Sequence, residues 1–101
     1  MNGKDKNERR GEYLEIALQL AQDSNYMQVT PDAIAAFAGV SVGSVYYALG
    51  TLTDMRDCIV RKAVETENVT VVAQALGLRH PVALEAPQLL KVRAVKLIGT
   101  L

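Results

Sequence analysis

The chain has 101 residues, half of them apolar, with 11 basic side chains against 11 acidic ones. That suffices for one modest core, and the zero net charge argues against a protein that holds nucleic acid by overall positive charge. A single cysteine excludes an internal disulfide and fits a reducing cytoplasm. No apolar run reaches the roughly 18 to 20 residues of a membrane span, and the charged start MNGKDKNERRGEY lacks the apolar stretch of a secretory signal, so a cytoplasmic protein without membrane contact is expected.

Residues 1–7 are polar, and Lys4, Lys6, Arg9 and Arg10 form a basic cluster diluted by Glu8 and Glu12. Such a cluster is either a solvated terminus or an arm that touches phosphates or a minor groove beside a DNA-binding helix. The first helix is predicted over 8–23, where Tyr13, Ile16, Ala17, Leu20 and Ala21 follow the i, i+3, i+4, i+7, i+8 spacing of one buried stripe. The polar run Asp23-Ser24-Asn25 ends it, and Tyr26 is expected to pack beneath the next helix.

Residues 31–50, PDAIAAFAGVSVGSVYYALG, predict a helix-turn-helix. Ile34, Ala35 and Ala38 form an apolar set at helical spacing, Thr30 is placed to cap the first turn, and Pro31 suits the first helical position. Gly39 stands where the chain must leave the helix in a left-handed conformation. Val40 is expected to turn back into the core, Ser41 to cap the second helix, and Val45 and Ala48 to point inward. Val42, Gly43, Tyr46 and Tyr47 then face outward, with Ser44 near the helix start. Ala35 is small enough to let the two helices cross closely.

The wider stretch 25–57 carries an aromatic before the capping Thr, then Ile-Ala-x-x-Ala-Gly-Val-Ser-x-Gly-Ser-Val-Tyr, then a further capped helix. In this it resembles the DNA-binding segment of the tetracycline-repressor (TetR) family of bacterial transcription regulators, and with the preceding helix the resemblance spans residues 8–65. It implies that Tyr46 stands where that family places a phosphate-contacting tyrosine. The chain differs at Leu49, where the family has an aromatic, and at Leu52, where it has a phosphate-contacting Lys. Nothing in the 101 residues corresponds to the family's ligand-binding domain. The resemblance therefore implies the DNA-binding fold, with no small-molecule effector.

Beyond Gly50, Thr51 or Thr53 is expected to cap a helix over 52–65 with Leu52, Met55, Ile59 and Ala63 on one face. Cys58 beside that face reads as a small buried thiol, since no His or second Cys is near in sequence. Residues 66–68 are a polar break. Residues 69–76 hold three Val and Thr70 and could in isolation be a strand, but Ala73-Gln74-Ala75-Leu76 and the following Gly77 favour helix. Residues 78–81 read as a turn. The final helix, 87–98 and ended by Gly99, is apolar almost all round, so it needs burial on more than one side. A second copy of the chain is the expected cover, with Leu90, Ala94, Leu97 and Ile98 in a homodimer interface.

The expected fold is thus all-α, a small bundle of about five to six helices. It divides into a DNA-binding unit with a basic arm, 1–65, and a dimerisation unit, 66–101. The first holds seven Lys/Arg against nine Asp/Glu, a net of −2, and the second four against two, a net of +2.

Catalysis finds little support, because His80 is the only histidine and no CxxC, HExxH or Gly-rich phosphate loop is present. No enzyme activity, cofactor or metal is expected. The expected DNA-binding set is Thr30, Ser41, Val42, Gly43, Ser44, Tyr46 and Tyr47 with Lys4, Lys6, Arg9 and Arg10. Hydroxyls and the free N–H groups of the second helix suit phosphate, and Val42 and Tyr47 suit base edges. That helix has no Arg or Lys, so bidentate guanine readout is not available from it. These features lead to a small homodimeric transcriptional regulator of double-stranded DNA, a repressor or accessory protein of a bacterium, plasmid or phage. The alternatives are an interaction module that does not bind DNA, and a DNA packaging or recombination accessory protein.

Overall fold

The computed structural model describes residues 5–99 and is all-α. Among the described residues there are seven α-helices and no strand: α1 (Lys6–Asp23), α2 (Pro31–Ala38), α3 (Val42–Leu49), α4 (Leu52–Glu65), α5 (Val69–Gly77), α6 (Pro81–Leu84) and α7 (Gln88–Gly99). A 3₁₀ turn, Tyr26–Gln28, links α1 to α2. The seventh helix is α6, which starts at the last residue of the expected 78–81 turn and runs through residues given no element from the sequence; His80 caps it and Pro81 supplies its first residue.

α1 is the central helix and packs against α2, α3, α4 and α5. It starts at Lys6, earlier than the apolar pattern indicates, because the Asp5 carboxylate accepts the Glu8 amide at 2.8 Å. Lys6 is therefore helical along with Arg9 and Arg10, and the three do not form an extended arm; Lys4 lies outside the described residues. The buried face is Tyr13, Leu14, Ala17, Leu18 and Ala21, while Ile16 and Leu20 are only half-buried. Leu14 beside Cys58 and Lys62 of α4 shows why: α4 covers a column that a single-stripe reading leaves to solvent.

α2 and α3 are eight residues each, and the chain axis turns by 115° between them. Thr30 caps α2 by accepting the Ala33 amide at 3.1 Å, and Ser41 caps α3 by accepting the Ser44 amide at 3.3 Å. Gly39 has φ +72° and its amide bonds the Ala35 carbonyl at 2.9 Å; the Val40 amide bonds the same carbonyl at 3.1 Å. That closure is so tight that Val40 emerges at the rim, 38 % exposed, and not in the core as its apolarity suggests. Ile34, Ala35, Val45, Ala48 and Leu49 fill the space beneath.

Gly50 leads into α4, whose Thr51 and Asp54 form a reciprocal capping box. Met55, Cys58, Ile59, Val60 and Ala63 are buried, but Leu52, in the first turn of α4, stays exposed beyond the packed length. α5 is helix, begun by Asn68 accepting the Val71 amide at 3.1 Å. Its Gln74 ties α5 to the corner after α1, donating to the Ala21 carbonyl at 2.8 Å and accepting the Tyr26 amide at 2.9 Å. Tyr26 is buried there, and its ring meets His80 edge-on at 6.1 Å.

α7 packs mainly on α5, which corrects the expected dimer face. Leu90 and Ala94 point into the chain's own core, and Leu97 is half-buried. The outward residues are Leu89, Val92, Val95 and Ile98. Lying on α5 of its own chain, α7 turns Leu90 and Ala94 of the expected dimer set inward, while Ile98 of that set stays exposed.

Candidate nucleic-acid interface

α3 has two faces. Val45, Ala48 and Leu49 are buried, and Val42, Gly43, Tyr46 and Tyr47 are exposed, Tyr47 to 69 %. Ser44 is half-buried, and its hydroxyl lies 3.1 Å from that of Ser41. Thr30 sits at the start of α2, its hydroxyl engaged by the cap described above. The local sequence makes this division because two inward residues, Val45 and Ala48, are spaced to meet α2, and the Tyr pair between them cannot share that direction.

The structure brings the first two turns of α1 alongside α3. The Lys6 ammonium lies 4.8 Å from the centroid of the Tyr47 ring, a cation–π distance. Arg9 lines a cleft of about 450 Å³ with Glu12, Val40 and Ser44. Arg10 is directed elsewhere: its guanidinium donates to the Cys58 sulfur at 2.9 Å. Of the basic cluster, Lys6 and Arg9 border α3 and Arg10 serves the α1–α4 contact. Cations in the first turns of a helix oppose its dipole, a cost of some tenths of a kcal/mol each, and here the cost is accepted beside an exposed aromatic pair.

Acidic groups border the other end. Asp54, Asp57 and Arg61 line a hollow shared with Lys6 and Tyr47. The Thr51 amide, then its hydroxyl, hold the Asp54 carboxyl below its ordinary range, so it stays charged. Asp57 accepts from the His80 Nε2 at 2.8 Å.

Gly43 supplies a separate clue. A Cβ built there meets nothing nearer than the Ser41 hydroxyl, at 3.8 Å. The fold therefore has no need of glycine at that position, and its absent side chain leaves clearance on the exposed face.

Sequence reasoning missed three residues that tie the surrounding elements together. Gln74 is one, and Arg56, donating to the Met27 carbonyl at 3.0 Å, is another. His80 is the third, with its Nδ1 accepting the Val82 amide at 3.1 Å. Only the last had a signal, a polar residue directly before a proline. Among the described residues, no three or more His, Cys, Asp or Glu side chains are grouped to hold a metal ion, and no single helix is long and apolar enough to cross a membrane. Comparison of the chain with protein-family models, with curated proteins and with solved structures finds no match.

Proposed function

We propose that α2 and α3 form a DNA-binding helix-turn-helix of the kind found in the TetR family, and that the protein is a small transcriptional regulator of double-stranded DNA. In this reading it is a repressor or accessory protein of a bacterium, plasmid or phage, and it acts as a homodimer. The observation that carries the reading is the exposed α3 face of Val42, Gly43, Tyr46 and Tyr47, with Lys6 over Tyr47 and Arg9 beside Ser44. The 115° turn lies within the range of about 90–120° for such helix pairs. Lys6 and Arg9 supply the positive charge that α3 lacks. Val42 offers a methyl-sized contact to thymine, and the hydroxyls of Ser41 and Tyr46 suit phosphate. A bound dimer would act sterically, denying the site to polymerase or another protein.

Genomic footprinting of the full chain tests the reading. Tyr46→Ala should weaken binding to the best footprinted site about tenfold, or about 1.4 kcal/mol, with unchanged helical circular dichroism. Equal affinity of the two proteins would remove α3 from the interface.

The uncharged α3 and the nearby Asp54 and Asp57 favour a second reading, an interaction module that does not bind DNA. It predicts elution from heparin at low salt and no footprint at all.

A further inference from the structure

Phe37 is the only phenylalanine of the chain, and on α2 it is 72 % exposed. With the half-buried Ile16 and Leu20 of α1 it forms an apolar groove of about 280 Å³, completed by Glu15, Gln19 and Asp23. Neither Glu15 nor Asp23 has an ion pair among the described residues. Asp23 also sits at the negative end of the α1 dipole, where the last turn holds no basic residue. The groove thus has an apolar floor and an uncompensated negative rim.

α7 presents the converse. Leu89, Val92, Val95 and Ile98 are exposed along it, and its charged residues are all cations: Lys91, Arg93 and Lys96. Arg93 pairs with Glu67 at 3.2 Å, and Lys91 donates to the Leu84 carbonyl at 2.8 Å. Lys96 makes no ion pair among the described residues.

The two surfaces meet the same end of α1. Leu20 and Asp23 line the groove, while Gln22 and Ser24 line a second hollow with Leu78, Leu97 and Ile98. A two-fold axis beside that end would carry each copy's α7 toward the other's groove, giving two equal contacts from one symmetry operation. Direct pairing of α7 with its own copy would set three cations against three, with no carboxylate on either helix.

We infer that the Phe37 groove is the seat of α7 from a second copy, in a reciprocal two-fold dimer. The inference rests on the dimeric state proposed above and is independent of DNA binding.

Sedimentation equilibrium of the full chain without DNA tests it. The wild type should dimerise, and less tightly as salt is raised. Phe37→Asp and Val95→Asp, both at exposed positions, should each weaken dimerisation about tenfold or more with helical circular dichroism retained. An equal mixture of the two variants should recover a mixed dimer of intermediate affinity, because one intact α7 then meets one intact groove. If Phe37→Asp dimerises like the wild type, the groove is not the seat and the dimer stands by another face. Loss in both variants without recovery on mixing would also overturn the pairing. A wild type that stays monomeric throughout removes the dimer itself, and this inference with it.

Discussion

Three glycines in and around α3 do different work at the scale of a single residue. Gly39, at φ +72° with open space around its Cβ position, meets only the left-handed backbone cost, so Gly39→Ala should lose about 1 to 2 kcal/mol in urea unfolding. Gly50 has φ 85° and ψ −150°, a region held almost only by glycine, and an added Cβ would lie 2.6 Å from Asp54 Oδ2. Gly50→Ala should therefore cost more than Gly39→Ala and break the α4 cap as well. Gly43→Ala should do the opposite to the fold, stabilising it by up to about 1 kcal/mol, while weakening DNA binding because the clearance on α3 is filled. A variant that gained stability and kept full affinity would show that the exposed face of α3 touches nothing there. Tyr26 titrates differently from an exposed tyrosine. Burial, opposed by Arg56 and reinforced by Asp57, raises its pKa above the ordinary value of 10.0. Its contribution to stability is then complete below that value and is lost as pH rises through the folded one, because the unfolded chain ionises first. Tyr26→Phe should flatten this alkaline loss in pH-dependent unfolding.

Among the elements, α4 and α6 owe their starts to side chains that do two jobs. The Asp54 carboxylate closes the α4 capping box, and its pKa is lowered in the fold. Its stabilisation is present above the ordinary carboxylate range and disappears as pH falls through the depressed value. Asp54→Asn should blunt that acid-side loss, followed by circular dichroism. α6 has only four residues, too few to persist alone. His80 holds it: Nδ1 accepts the Val82 amide, which leaves Nε2 as the protonated nitrogen that donates to Asp57. His80→Ala should cost about 1 to 2 kcal/mol and speed amide exchange at Val82 and Leu84, with α3 unaffected.

The whole molecule carries its charge unevenly. A net of −2 in residues 1–65 faces +2 in 66–101, so few phosphates can be neutralised by the α3 end. Plots of log K against log[salt] should be shallow, with a slope of about −3 to −5 per protomer for roughly three to six phosphates neutralised. Replacing Lys6 and Arg9 together by Ala should reduce that slope by about one to two, one for each phosphate left without its cation. An unchanged slope would mean that the start of α1 stands clear of DNA. The molecule is elongated as well, at 46 × 22 × 19 Å, and in the proposed dimer α7 and the Phe37 groove would meet another copy while α3 meets DNA.

Local chemistry made much of this legible in the amino-acid order. The all-α class, the capped starts at Thr30 and Ser41, the left-handed stop at Gly39 and the two faces of α3 all depend on neighbours within about one turn of helix. Helix rather than strand over 69–77 follows from the same short-range reasoning. What only the tertiary structure decided is depth and direction. Whether Leu90 and Ala94 face a partner or the chain itself depends on α5 lying against α7; whether Leu14 or Ile16 is buried depends on α4. Lys6 and Arg9 became neighbours of α3 because α1 packs on it, with Asp5 extending α1 to include Lys6. Gln74, far along the chain, fills its hydrogen bonds at the corner after α1. Periodicity marks which residues are apolar on a helix; only the packing of one helix on another determines which of them are covered.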